Sequence, residues 1–233
     1  MIRRIDSPAL LVRSVPYGES DVIATFFTRD AGVLGAIVRG ARRSQKRFGG
    51  ALEPIHELFI GLDDKGKELC FLKEARIQRA RTGITASLDA MDAAGEALRW
   101  TRHLCPPRTP EPAAWRSLEV LFDVLDAGAD PRSPLAVFGL RLLTDMGYAL
   151  ELDQCVRCGR PCPPGRSAFL DGARGGLVCT GCGGARRTVK PDLRALAARA
   201  QRGEAVDLRR DEADELIEIA REAMAAHAGV DAV

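Results

Sequence analysis

The stretch ALLVRSVPYGESDVIATFFTRDAGVLGAIVR, residues 9–39, decides the fold. It holds three short runs, ALLVRSV (9–15), DVIATFFT (21–28) and VLGAIVR (33–39). All are rich in the aliphatic, β-branched and aromatic side chains that suit a pleated surface. Pro16 with Gly18, and Asp30 with Gly32, punctuate them as turns. Working outward, HELFIG (56–61) follows Gly49-Gly50, and KELCFLKEARI (67–77) follows Asp63-Asp64 with Gly66. Five strands at this spacing, with little helix, predict a small barrel or sandwich over residues 1–80. A five-stranded OB-type barrel is one such solution, a fold that commonly binds single strands or sugars.

Beyond residue 80 the period changes, so the chain reads as α+β, with a helical domain over 81–233. ASLDAMDAAGEALRWTRHL (86–104) is Ala- and Leu-rich, and Cys105-Pro106-Pro107 breaks it. Thr109-Pro110 then reads as an N-cap followed by Pro at the first helical position, opening a helix that runs to Gly128. Ser133-Pro134 repeats the device, and LAVFGLRLLTDM runs on to Gly147 as the C′ residue. Leu135, Phe138, Leu142 and Met146 share one face and read as core. Two later helices are predicted, one from Pro191 to before Gly203. The other spans 211–226, with Leu216, Ile217, Ile219, Ala220, Ala223 and Met224 as its apolar face.

Between these helices lies a Cys-, Gly- and Arg-rich island, residues 151–187, inserted in the helical domain. CVRCG (155–159) and CTGCG (179–183) are two Cys-x-x-Cys turns, a spacing that reads as a zinc site built by Cys155, Cys158, Cys179 and Cys182. Four thiolates fill a tetrahedron and leave no position for water, so the site is structural rather than catalytic. Gly159 and Gly183 are expected to let backbone amides point at sulfur. An iron–sulfur cluster also takes four cysteines, but the two-by-two ribbon spacing favours Zn²⁺. Cys162 reads as a spare thiol; Cys70 and Cys105 read as small buried residues.

Charge is nearly balanced overall, with 34 basic and 32 acidic residues in 233. It is not balanced locally. From Ala31 to Leu52 there is no acid, while Arg39, Arg42, Arg43, Lys46 and Arg47 crowd into VRGARRSQKRFGG (38–50). A loop of this kind on a small barrel suits the phosphates of a nucleic acid, although a solvated loop or a protein or lipid partner also fits. Phe48 is the nearest aromatic and is placed to stack on a base. Arg3 and Arg4 extend the same basic character at the N-terminus. No apolar run approaches the ~18–20 residues of a membrane span, and no secretory leader is evident, so a soluble cytoplasmic protein is expected. There is no P-loop pattern, and His56, His103 and His227 are isolated, so nothing assembles a catalytic constellation.

These residues together resemble the RecO family of bacterial DNA repair and recombination mediators. The N-terminal pattern is LLVRSVPYGESDVIATFFTRDAGVLGAIVRGARRSQKRFGGALEPI, with its Y-G-E-x-D turn and its R-G-A-R…R-F-G segment. LEPIHELFIGLDDKGKELCFLKEAR fits the next two strands, and FGLRLLTDMGYALELDQCVRCG resembles the family's later motif. Ala149 stands where the family often has Pro, and Gly139 where it often has Glu. The resemblance implies an N-terminal OB fold, a helical domain and a zinc ribbon held by the four cysteines named above. It implies binding to single- and double-stranded DNA and annealing of complementary strands. It implies partnership with RecR and help in loading RecA onto strands coated by the single-strand DNA-binding protein. Arg39, Arg42, Arg43, Lys46 and Arg47 fall in the matched basic pattern. Arg132 and Arg141 are candidates for the rim of a pocket that takes that protein's acidic, apolar-ended tail. No enzymatic activity is implied. The alternative is an adaptor that chiefly contacts RecR and the single-strand binding protein, with DNA binding secondary.

Overall fold

The computed structural model describes residues 2–42, 48 and 52–228. Five strands close into a barrel: β1 (Arg3–Tyr17), β2 (Asp21–Thr28), β3 (Gly32–Val38), β4 (Glu57–Asp64) and β5 (Leu69–Arg79). Their order is β1-β2-β3-β5-β4, and β1 pairs with both β2 and β4. The long first strand makes this possible. Its first half pairs with β4 and its second half with β2, and the register shifts between Leu11 and Arg13. One extra residue there bends the strand and increases its twist, which a closing sheet needs. Closure comes from a short parallel ladder, Gly35–Leu69 to Ile37–Phe71. Period-two alternation places Leu11, Ala24, Phe26, Leu34, Ala36, Leu58, Ile60, Leu62, Cys70 and Leu72 inside.

The outside of the barrel is also covered in places, which explains why Phe27 and Thr28 are buried beside Phe26. The chain forms two compact units, Met1–Ala129 and Asp130–Val233. The first therefore joins three helices to the barrel: α1 (Thr82–Thr85), α2 (Leu88–Leu104) and α3 (Pro112–Asp126). Trp115 of α3 packs against Phe27, ring centroids 5.6 Å apart. Arg108 donates from its backbone to the Val33 carbonyl at 3.0 Å and pairs with Asp64 at 2.8 Å. That hydrogen bond holds the Asp64 carboxyl below the usual carboxylate range. Gly32 has φ +69°, and a Cβ there would lie 2.1 Å from the Thr109 carbonyl oxygen, so only glycine fits the contact.

The helix starts differ from expectation. Ser87 does cap α2, accepting from the Ala90 amide at 3.3 Å. By contrast, Thr109-Pro110 stays outside the helix, following the turn at the anchored Arg108, which has φ +58°. The helix opens two residues later, with Pro112 rather than Pro110 at its start. In the second unit, α4 (Arg132–Asp145) begins before Ser133-Pro134, and Asp130 accepts from the Arg132 amide at 3.0 Å. Ser133 instead accepts from the Leu208 amide at 3.1 Å. The predicted stop at Gly147 is correct. Its amide donates to Thr144 and the Tyr148 amide to Leu143, the paired bonds of a Schellman ending with φ +82° at the glycine.

α4 packs on α6 (Arg210–Ala228) and on α5 (Pro191–Gln201). The expected faces are largely inside: Leu135, Phe138 and Leu142 from α4, and the six named apolar residues of α6, whereas Met146 follows the helix end and is only half-buried. Leu140 and Leu143 are buried too, so α4 is covered on more than one side. Between α4 and α5 runs a four-stranded sheet in the order β6-β8-β7-β9. Its strands are β6 (Glu151–Cys155), β7 (Ala168–Asp171), β8 (Gly176–Leu177) and β9 (Arg187–Val189).

Candidate metal centre and nucleic-acid interface

The sheet brings the two Cys-x-x-Cys turns together. Cys155 ends β6 and Cys158 sits in the following turn; Cys179 and Cys182 bracket a single 3₁₀ turn after β8. All four sulfurs lie within 4.8 Å of one another, with Cys158 and Cys179 at 3.7 Å. A Zn–S bond of about 2.3 Å puts tetrahedral sulfurs about 3.8 Å apart, so the spacing fits such an ion. The protonation chemistry agrees. Backbone amides, that of Cys179 first at 3.3 Å, hold the Cys155 thiol down at about 6. Hydrogen bonds with the neighbouring sulfurs, Cys158 first, push Cys182 up to about 12. Four thiols this close cannot all ionise unaided, and a divalent cation held among them would supply the missing charge.

The knuckle glycines take the permissive backbone expected of them, and amides do point at sulfur, though not the glycines' own. Gly159 and Gly183 have φ +69° and +99°, but their amides donate to the carbonyls of Cys155 and Thr180. The amides aimed at the Cys155 sulfur belong to Cys179, Arg157 and Cys158. The nearby arginines are partly committed. Arg157 donates to the Cys182 carbonyl at 3.1 Å, tying one knuckle to the other. Arg174 pairs with Asp171, and Arg187 with Glu222. Cys162 is not idle: the buried Arg194 donates to its sulfur at 2.6 Å and to the Pro163 carbonyl at 2.7 Å. Cys70 and Cys105 are buried, and burial pushes the Cys70 thiol up.

On the barrel, Arg39 leaves the end of β3 exposed, with its guanidinium 5.0 Å from the centre of the Phe71 ring. Arg42 is exposed as well, and its amide donates to the Ser20 carbonyl at 3.0 Å. Arg43, Lys46 and Arg47 lie outside the described residues. Phe48 corrects an expectation: it is only 5% exposed and belongs to the barrel core, so it offers no face to a base. Arg3 is exposed. Arg4 is held by Asp6 at 2.8 Å, Glu74 at 3.6 Å and Asp63 at 3.8 Å. In the second unit, Arg132 pairs with Asp214. Arg141 pairs with Asp145 and donates to the Gln201 carbonyl, each at 3.1 Å.

Sequence reasoning missed Lys65, Lys73 and Phe71. Lys65 also lies over the Phe71 ring, 5.0 Å from its centre. With Arg39, Lys73, Asp63, Ile2, Ile37 and Leu72 they line a cleft of about 350 Å³. The signal was present in β5, where the alternation Cys70 in, Phe71 out, Leu72 in can be read from the sequence. What could not be read is the parallel β3–β5 closure that sets Phe71 opposite Ile37, two residues before Arg39.

No helix among the described residues is long and apolar enough to cross a membrane. Two family models match the chain: Recombination protein O N terminal over residues 1–81 and Recombination protein O C terminal over 86–232. Relatives called DNA repair protein RecO are found in several bacteria. That of Anaeromyxobacter sp. (strain K) is 35% identical over 197 residues, covering 84% of this chain and 77% of the relative. That of Geobacter sulfurreducens is 36% identical over 175 residues, covering 75% and 71%. That of Myxococcus xanthus is 32% identical over 218 residues, covering 84% and 88%. With the closed barrel, the helices and the four-cysteine centre, these matches show that the chain belongs to the RecO family of DNA repair proteins.

Proposed function

We propose that this chain is a non-enzymatic recombination mediator of the cytoplasm. It binds single- and double-stranded DNA, anneals complementary strands, and with RecR helps load RecA onto strands coated by the single-strand binding protein. The observation that carries this reading is the gathering of cations at one margin of the closed barrel. Arg39 and Arg42 leave β3 there, and Lys65 and Lys73 stand with Arg39 around Phe71. Cations so placed neutralise phosphates on both strands and lower the repulsion that opposes annealing. Arg43, Lys46 and Arg47 continue the same segment, and Arg3 adds to it; Arg4, held by three carboxylates, contributes least.

The cysteine centre takes one zinc ion with all four positions filled by thiolate, so its role is to hold the small sheet. Arg132 and Arg141 would rim the surface for the tail of the single-strand binding protein. The test is annealing of two complementary strands by the wild type and by a variant with Arg39, Arg42, Arg43, Lys46 and Arg47 changed to Glu. The variant is expected to fold, to bind RecR and the single-strand binding protein, and to lose annealing. Annealing that persists overturns the reading. Loss of partner binding with annealing intact supports the adaptor reading instead.

A further inference from the structure

We propose that Phe71 is a stacking platform for one base of a single strand, with Arg39, Lys65 and Lys73 receiving the adjoining phosphates. This rests on the DNA-binding reading above and deepens it.

Several observations converge on this ring. Its neighbours in β5, Cys70 and Leu72, point into the core, so alternation turns Phe71 outward. An outward aromatic on a barrel strand needs a cover, and here the cover is charge: Arg39 and Lys65 each sit 5.0 Å from the ring centre. A cation over an aromatic face is attracted by the ring quadrupole, but the contact is readily exchanged at an exposed site. Beside the ring, Ile2 and Ile37 line the cleft, with three cations, Arg39, Lys65 and Lys73, against one carboxylate, Asp63. Lys73 already shares that carboxylate at 3.4 Å. The volume of about 350 Å³ falls at the small end of ligand clefts, about 300–1,000 Å³.

A base entering this cleft takes the ring face, and the displaced cation moves to the phosphate beside it. Stacking of this kind tolerates any base, because each has a π-face. It requires an unpaired base, so the site discriminates single strands from duplex. Position supports the assignment as well. Arg39 is the first cation of the basic segment and already lies against the ring. A second ring, Phe59, has Arg76 at 4.6 Å, but in the strand register Asp6 and Glu74, opposite Gly61, lie between Phe59 and the Phe71 cleft, and their carboxylates disfavour phosphate there. The ring expected from sequence to stack, Phe48, is buried. Phe71 takes that role.

The experiment measures binding of a labelled oligothymidylate and of a duplex of equal length, by anisotropy, to the wild type, Phe71→Leu and Phe71→Trp. Leu keeps an apolar side chain in the cleft and removes the π-face. Phe71→Leu is expected to bind the single strand about 5- to 150-fold more weakly, with the duplex affinity and the salt slope unchanged. Phe71→Trp is expected to retain affinity, with an indole emission quenched by the single strand. The native Trp100 and Trp115 are buried and give the baseline. Wild-type affinity in Phe71→Leu, or an equal loss for both DNAs, overturns the proposal. Should Phe71→Leu not fold, an unquenched indole in a binding-competent Phe71→Trp overturns it alone. A wild type that binds neither DNA overturns the underlying reading instead.

Discussion

The barrel and the cysteine sheet solve the same problem in opposite ways. Each is a small β structure, yet the barrel's strands run 7–15 residues and bury one continuous apolar core. The cysteine sheet has strands of 5, 4, 2 and 3 residues, too short to bury much, and its buried apolar side chains are few. What it has instead is four cysteine sulfurs within 4.8 Å of one another. The lesson is that strand length sets the means: where strands are long enough, the hydrophobic effect suffices, and where they are not, the proposed zinc ion would replace it.

Metal removal gives the largest expected effect. A strong chelator should abolish hydrogen-exchange protection across residues 151–189 while strands β1–β5 keep theirs; structural zinc sites are worth about 10–16 kcal/mol in isolated zinc-finger peptides. Loss of barrel protection at the same chelator concentration breaks the comparison. Next comes Trp115→Ala, which removes the ring that covers Phe27 from outside the barrel. Chemical denaturation should show a loss of about 3–5 kcal/mol for the first unit. A loss under about 1 kcal/mol would mean that the helices stabilise the barrel little.

Phe48→Leu sharpens the comparison further. It keeps most of the buried volume, so it should cost under about 1.5 kcal/mol and leave single-strand affinity alone. A fall in affinity without loss of stability would return Phe48 to the surface. The smallest effect concerns acid. Asp64 has its folded pKa lowered by Arg108, so its contribution is present above the ordinary carboxylate value and is lost as pH falls through the lowered one. Asp64→Asn should therefore lower stability at neutral pH and flatten the acid limb of the barrel's stability profile. An unchanged limb would show the pair to be silent.

Strand existence was legible throughout the barrel, because β2, β3 and β4 alternate inward and outward residues with little interruption. So was the clustering of the four cysteines, since two Cys-x-x-Cys turns carry their geometry with them. Phe48 was not legible. Its neighbours are Arg, Lys and Gly, and local composition says surface; only the barrel interior decides otherwise. The helix starts near Thr109 and Ser133 were misplaced for a related reason. Each has the right cap residues beside a proline, but Arg108 and Ser133 are committed to distant partners, Asp64 and Leu208, and those bonds choose the first helical turn. The edge strand β9 is three residues, Arg-Thr-Val, which no periodicity can reveal. Phe71 was hidden by strand order, since only parallel pairing with β3 brings it beside the basic segment.

The central claim is that this segment meets phosphate. The direct measurement is the slope of log affinity for a single strand against log salt, for the wild type and for a variant with Arg39, Arg42, Arg43, Lys46 and Arg47 changed to Gln. Single-strand contacts contribute about −0.7 each, so the variant's slope should be shallower by about 3.5. For the wild type, those five contacts alone make a fourfold rise in salt cost roughly 100-fold in affinity. Equal slopes for the two proteins would contradict the account and move the DNA surface elsewhere on the chain.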